Sequence, residues 1–313
     1  MMVGHAMLAF AAATAVASRR WPTDRALAFG VVAGAFATVP DVDMLYAVFG
    51  LARTGLAGVW AMTDAFWTSS NVVHRAVTHS LVVGLVAASI FAGSVADRGR
   101  AVAALLGVGI VALTAAASGS LGAAIVAAFL LAGVGIAQAT VRKTDLGPQA
   151  VFAAALVGLL THPFGDVFTG APPRFFYPLD VRVLTDRVVL LADPTLNLLA
   201  VFAVELATIW LAGCVYLRAT DRRLLSHVDA RAAVGVAYAI AAVAMPAPTM
   251  QVSYHFVFSI LAIAIVGIAP HLLPSRPLLS ADWHDRITWG MTGLAAVSVA
   301  ALAYTLTYVF FST

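Results

Sequence analysis

Long stretches without a charged residue leave this chain few ways to fold. Apolar runs fall at about 3–18, 26–39, 44–60, 76–96, 101–117, 120–140, 147–163, 195–217, 232–248, 254–273 and 288–311. A helical bilayer crossing needs roughly 20 mostly apolar residues, with every backbone N–H and C=O bonded internally. Closed barrels also satisfy the backbone, but their strands alternate apolar and polar residues. These runs are continuously apolar and rich in Ala, Leu, Val and Gly. The expected fold is therefore all-α, a polytopic transmembrane helical bundle with about nine or ten crossings. The N-terminal helices are short or re-entrant, and 44–60 is the segment least suited to cross. Only 11% of the 313 residues are charged, against about a quarter in soluble domains. The expected organisation is a membrane-embedded region at 1–180, extended by transmembrane helices at 181–313 in the same bundle.

Arginine placement gives an orientation. If 44–60 stays on one side and the other ten runs cross, thirteen of the eighteen Lys and Arg residues fall on one side. The positive-inside rule makes that side cytoplasmic. The basic residues lie in short connections rather than one stripe, so no nucleic-acid partner is expected. The bilayer is the expected partner, in a multi-pass cell-membrane protein. Oligomeric state is not legible. Cys214, the single cysteine, excludes an intramolecular disulfide and a thiolate metal cluster. The first apolar run has no basic region before it and contains a histidine, so it does not read as a cleaved signal.

Against this apolar background, four polar clusters stand out: "GH" with His5, "PDVD" with Asp41 and Asp43, "HRAVTHS" with His74, Arg75, Thr78, His79 and Ser80, and "HPFGD" with His162 and Asp166. On the ten-crossing topology all four emerge on the extracytoplasmic side. That topology rests on arginines and apolar length, so the convergence is partly independent support for one composite site. Histidines and aspartates without thiolates suit Zn²⁺ first, then Mn²⁺ or Fe²⁺, as one ion or two. Pro40 is expected to end a helix and let Asp41 and Asp43 leave it extended. His162 and Asp166 share a face if the helix continues through Pro163 and Gly165. His74 is expected just before a helix and His79 inside its first turns. A bound ion would acidify water and polarise a group under attack. Asp166 is then the candidate general base. Arg75 would face an anion such as phosphate, with Thr78 and Ser80 orienting substrate or capping the helix.

These four motifs, in this order and spacing, resemble the YdjM-type family of membrane-bound metal-dependent hydrolases over roughly residues 1–180, including the "FYPL" that ends at Leu179. The resemblance implies that His5, Asp41, Asp43, His74, His79, His162 and Asp166 match the family's metal positions. It also implies hydrolysis, without defining a substrate. The chain departs from short family members in its long C-terminal half and at Met44, where an acidic residue or histidine often stands.

Each cluster also has a plainer reading: an interfacial histidine, a capping turn, or a polar pair closing a bundle. Arg174 and Tyr177, in the connection 164–194, could meet an anion and a lipid headgroup or simply anchor the interface. Glu205, the only glutamate, lies mid-run on one helical face with Asn197; both could line a polar cavity, or Glu205 could be a protonated acid bonded to a neighbouring helix. Asp193 reads as a helix N-terminal residue, and His227, His271 and His284 as surface residues. The leading function is metal-activated hydrolysis of a phosphoester in a lipid or amphiphilic substrate. The alternatives are a metal- or proton-coupled transporter and a non-catalytic, metal-stabilised scaffold.

Overall fold

The computed structural model describes residues 2–46, 58, 61–62, 77–269 and 283–312. Among the described residues the chain is helical, with no strand, as its apolar runs require. It divides into two compact units, Met1–Arg187 and Val188–Thr313.

The first unit contains α1 (Met2–Ala17), α2 (Thr23–Ala37), a 3₁₀ segment (Pro40–Tyr46), α3 (Leu81–Ser94), α4 (Arg100–Lys143) and α5 (Pro148–Asp166). α5 packs against α1, α2 and α3. The contacts are built from small residues: Ala9, Ala26, Ala33, Ala37, Ala87, Ala88, Ala154 and Ala155 are all fully buried. In lipid there is little hydrophobic drive between helices, so close approach of small residues supplies the packing contacts. Gly158 shows how close: a Cβ built there would lie 2.5 Å from the Ala33 carbonyl oxygen and 2.7 Å from the Ala37 nitrogen.

α4 is 44 residues long. A straight helix of that length would reach about 66 Å, twice a bilayer core of about 30 Å. It is not straight. Gly119 has φ 77° and ψ −178°, a conformation open to glycine and strained for other residues. A Cβ at Gly107 would touch the Leu130 side chain at 3.8 Å, although a straight helix would hold those residues about 34 Å apart. The helix therefore folds back at Gly119. Residues from both limbs line a groove of about 600 Å³ beside α3. The outer faces carry exposed apolar side chains, such as Leu105 at 73% and Leu113 at 72% exposure.

The second unit contains α6 (Pro194–Ala219), 3₁₀ segments at Leu224–His227, Ala230–Ile240 and Ile263–Gly267, short helices α7 (Ala241–Ala244) and α8 (Tyr254–Ala262), and α9 (Trp283–Ser312). Its core joins Leu198, Phe202 and Leu206 of α6 to Tyr238, Phe256, Ile260 and Tyr304. Asp193 caps α6, its carboxylate accepting from the Leu196 N–H at 2.8 Å. His227 is not a surface residue: it is buried, its Nδ1 is 3.0 Å from the Thr288 hydroxyl, and its ring lies 4.6 Å from that of His284. Burial first, then His284 and Arg222, pushes the His227 pKa below its ordinary value.

Four described stretches are long and apolar enough to cross a membrane: Thr23–Met44, Arg100–Lys143, Pro194–Ala219 and His284–Phe311. Shorter apolar helices accompany them at Val3–Ala17, Leu81–Ser94, Ala230–Ala244 and Tyr254–Gly267. The sequence "RVLTDRVVLL" is neither helix nor strand but irregular chain.

Candidate metal centre

The site is assembled at helix ends. α1 begins beside His5, α2 ends at Ala37 just before the aspartates, α3 begins after His79, and α5 ends at Asp166. Up-and-down packing places all four ends together. His5, Asp41, Asp43, His79, His162 and Asp166 are buried, none more than 7% exposed.

Two local structures differ from their sequence expectations, and a third follows one of the courses the sequence left open. The aspartate turn is not extended; Pro40–Tyr46 is 3₁₀ helix, in which Pro40 can sit because the first turn needs no N–H from it. α5 runs unbroken through Pro163 to Asp166, so His162 and Asp166 do share a face, one turn apart. His79 lies outside its helix, not in the first turns, because Ser80 is the N-cap and accepts from the Val83 N–H at 3.3 Å. Capping by serine satisfies one of the orphan donors of a helix start.

The two imidazoles at the centre have their tautomers set from behind. His162 Nδ1 is 2.7 Å from the Ala37 carbonyl oxygen, which can only accept, so Nδ1 carries the proton. His79 Nδ1 is 2.9 Å from Thr78 Oγ1, and Thr78 donates to Asp43 Oδ2 at 3.0 Å. Asp43 Oδ2 is itself 3.5 Å from His79 Nδ1. A hydroxyl that donates to Asp43 must accept from His79, so His79 Nδ1 also carries a proton. Each neutral ring then has a lone pair on Nε2. Those two Nε2 atoms face each other at 3.0 Å.

Two carboxylate oxygens point to the same place. Asp166 Oδ2 is 3.1 Å from His79 Nε2 and 3.5 Å from His162 Nε2. Asp41 Oδ1 is 3.9 and 3.6 Å from the same two atoms, while its Oδ2 is buried without a hydrogen-bond partner among the described residues. Four acceptors aimed at one point repel unless a positive charge lies among them. A proton can serve one pair; a metal ion serves all four. A tetrahedral ion with bonds of 2.0–2.1 Å separates its donors by roughly 3.4 Å, within the observed spread of 3.0 to 3.9 Å. The donor set fits a divalent ion. Two overlapping triads, His5–His162–Asp166 and Asp41–His79–His162, each bring donor atoms within 4.8 Å of one another. His162 has a single lone pair to offer, so it serves one ion. His5 Nε2 meets the far oxygen of Asp166 at 3.2 Å.

Asp43 accordingly stands behind His79, the place of a carboxylate that orients a ligating histidine. Asp43→Asn with Thr78→Val should leave the chain inserted but weaken metal binding by about 10–100-fold, measured by competition with a chromogenic chelator. Unchanged affinity would show that Asp43 does not act through His79.

Of the remaining candidates, Ser80 has a defined structural role. The Ser80 hydroxyl lies 2.7 Å from the Tyr177 carbonyl and 3.3 Å from that of Phe175, and the Leu81 N–H donates to the Phe175 carbonyl at 2.8 Å. The Ser80 hydroxyl thus caps α3 and ties the 170–179 loop beside the site. Arg174 is exposed and Tyr177 partly buried in that loop. Asn197 is buried, and its side-chain oxygen accepts from the N–H groups of Leu190 and Leu191 at 2.8 and 3.3 Å. Glu205 lies partly buried in α6 of the second unit. His74 and Arg75 lie outside the described residues. The Ala37 carbonyl, which sets the His162 tautomer, was invisible in the sequence, because any residue at 37 supplies one.

The fold and site define a class: a helical membrane protein with a buried histidine–aspartate group able to hold a metal ion. The chain belongs to the YdjM inner membrane protein family, whose model matches residues 1–254. The match extends well past the motif region. No curated protein and no solved structure matches it.

Proposed function

We propose that the protein is a membrane-bound, metal-dependent hydrolase that cleaves a phosphoester of a lipid or amphiphilic substrate. The observation that supports this reading most is the pair of imidazole lone pairs facing each other at 3.0 Å with two carboxylate oxygens beside them. Zn²⁺ fits the donors first, with Mn²⁺ and Fe²⁺ as alternatives. When bound, the ion supplies an acidified water and polarises the phosphoryl oxygen. His79, His162 and Asp41, one of the two close triads, would hold it, leaving a position for water beside Asp166.

The chain's own residues would then handle the proton. Asp166 takes the proton of the attacking water at a carboxylate oxygen, and His5, 3.2 Å from Oδ1, orients that carboxylate and relays the proton. The proton returns to the leaving alkoxide as the phosphorus–oxygen bond breaks. Arg75 is the proposed phosphate partner, carried by its motif position. The 170–179 loop, tied to α3 through Ser80, would flank the entering headgroup.

Burial of all six donors favours a second reading, a metal-stabilised scaffold without turnover. One experiment separates the two. Purified protein loaded with Zn²⁺ or Mn²⁺ is incubated with phospholipids and with isoprenoid phosphates, and the cleavage products, a phosphomonoester or free phosphate, are separated by chromatography. Turnover that Asp166→Asn abolishes while metal content persists supports the enzyme and its base. Stable metal with no turnover on any substrate, with or without the substitution, favours the scaffold. The site is proposed to face outward; in a Cys214→Ser background, cysteines at 170 and 225 should label from opposite sides of the membrane, with 225 cytoplasmic. Same-side labelling would reverse that assignment.

A further inference from the structure

The groove of about 600 Å³ between α3 and the two limbs of α4 takes no part in the metal centre. Its walls are apolar and open to the outside: Val108 is 68% and Leu131 72% exposed. Small residues, among them Ala104, Gly107 and Ala112, leave the furrow clear. Along the first limb it runs from Arg100 to Ala115, about 22 Å at 1.5 Å per residue. One leaflet of a bilayer core is about 15 Å deep, so a lipid chain can lie along the furrow from end to end.

Polar side chains line one end only. Arg100, Ser94 and Gln138 meet there, and Gln138 Nε2 donates to the Ser94 carbonyl oxygen at 3.1 Å. This end is remote from the metal centre, because Ser94 closes the helix that begins after His79, about 21 Å away. Arg142 follows Gln138 by four residues in the same limb, so it lies on the same face. Arg98, Arg100, Arg142 and Lys143 at this end are all exposed, against Asp97 and Asp145. Arg100 reaches Asp97 Oδ1 at 3.4 Å, but both side chains are open to solvent, and such a pair is weak enough to be exchanged for another anion. α4 also starts here, with Gly99 as an N-cap that makes no side-chain hydrogen bond. Its first N–H groups and its dipole add to the positive potential.

We propose that the groove binds an anionic phospholipid, with one acyl chain along the furrow and the phosphate between Arg100 and Arg142. The apolar walls accept the chain of any lipid, so the furrow alone gives occupancy without selection. Selection comes from the basic end: each Lys or Arg near the membrane surface favours an anionic lipid by about fivefold. A helix of a second copy would also fit the furrow. In the same membrane orientation, however, it would bring its own arginine-rich helix ends to the level of Arg100 and Arg142, where like charges repel. The site is independent of the reaction proposed for the metal centre.

The full-length protein in detergent is mixed with equal amounts of phosphatidylglycerol and phosphatidylcholine of identical chains, and the retained lipid is read by native mass spectrometry. The first lipid retained should be phosphatidylglycerol, with a preference of about tenfold or more from two basic side chains. Arg100→Gln with Arg142→Gln should bring that preference close to parity while the lipid-free thermal midpoint stays at the wild-type value. Ala112→Trp, at an exposed position on the furrow wall, should fill the furrow and reduce retention of the preferred lipid. Equal retention of the two lipids by the wild type, or an unchanged preference in the double arginine variant, overturns the proposal. Undiminished phosphatidylglycerol in a folded Ala112→Trp protein, or a lipid-free dimer that Ala112→Trp dissociates, overturns it as well.

Discussion

Replacing His162 with alanine should strip the protein of its metal. His162 Nε2 is the hub of the centre, 3.0 to 3.6 Å from His79 Nε2, Asp166 Oδ2 and Asp41 Oδ1. Its other nitrogen is pinned to the Ala37 carbonyl. Loss of a residue that only orients a ligand lowers affinity by about 10–100-fold; loss of a hub ligand should exceed that and leave less than about a tenth of the wild-type metal content after dialysis. Elemental analysis of the purified membrane protein reads this directly, and far-ultraviolet circular dichroism checks that the helices persist. Full metal retention in the variant would refute the centre. Chelation of the wild type should lower its thermal midpoint as well, since an ion that binds only the folded state at 1,000 times its Kd stabilises by about 4 kcal/mol.

The second large effect should come from a residue that touches no metal. Gly158→Ala puts a methyl group 2.5 Å from the Ala33 carbonyl oxygen, 2.7 Å from the Ala37 nitrogen and 2.8 Å from Phe36 Cβ. Backbone cannot swing aside as a side-chain tip can, so α2 must move away from α5. Overpacking of this kind costs about 1–3 kcal/mol. The same displacement shifts the Ala37 carbonyl that holds His162, so metal affinity should fall about tenfold alongside the thermal midpoint. Gly135→Ala is the matched control: nothing lies within 4 Å of its added methyl, and removing a helix glycine should be neutral or stabilising by up to about 1 kcal/mol. If Gly158→Ala behaves like Gly135→Ala, the tight α2–α5 crossing does not govern the site.

Much of this architecture was legible from one dimension. Apolar length called for helices, and the break between the runs 101–117 and 120–140 marked the fold-back that Gly119 makes in α4. The four motifs were legible because charge and imidazole are costly in lipid, so they stand out wherever they occur. Asp193 was recognisable as a cap from its place before "PT". Local geometry was less so. His79 was expected in the first turns of its helix but lies before them, because Ser80 is the side chain that reaches the Val83 N–H. Pro163 left helix continuity ambiguous; the packed surroundings of α5 resolved it. Asn197 was grouped with Glu205 by helical phase, yet its amide is bonded to backbone at 190 and 191, a loop contact that periodicity does not encode.

The sequence by itself determined that the protein is an all-helical membrane protein carrying an unusual set of histidines and aspartates at its helix ends. Those features depend on composition and on the spacing of apolar runs, which act over a single segment at a time. Only the tertiary structure decided which donors meet, and how they are divided between holding an ion and orienting its ligands. That division depends on contacts between residues more than a hundred positions apart: the Ala37 carbonyl on His162 and Asp166 on His5. Such contacts arise from how helices pack, and no local pattern records them.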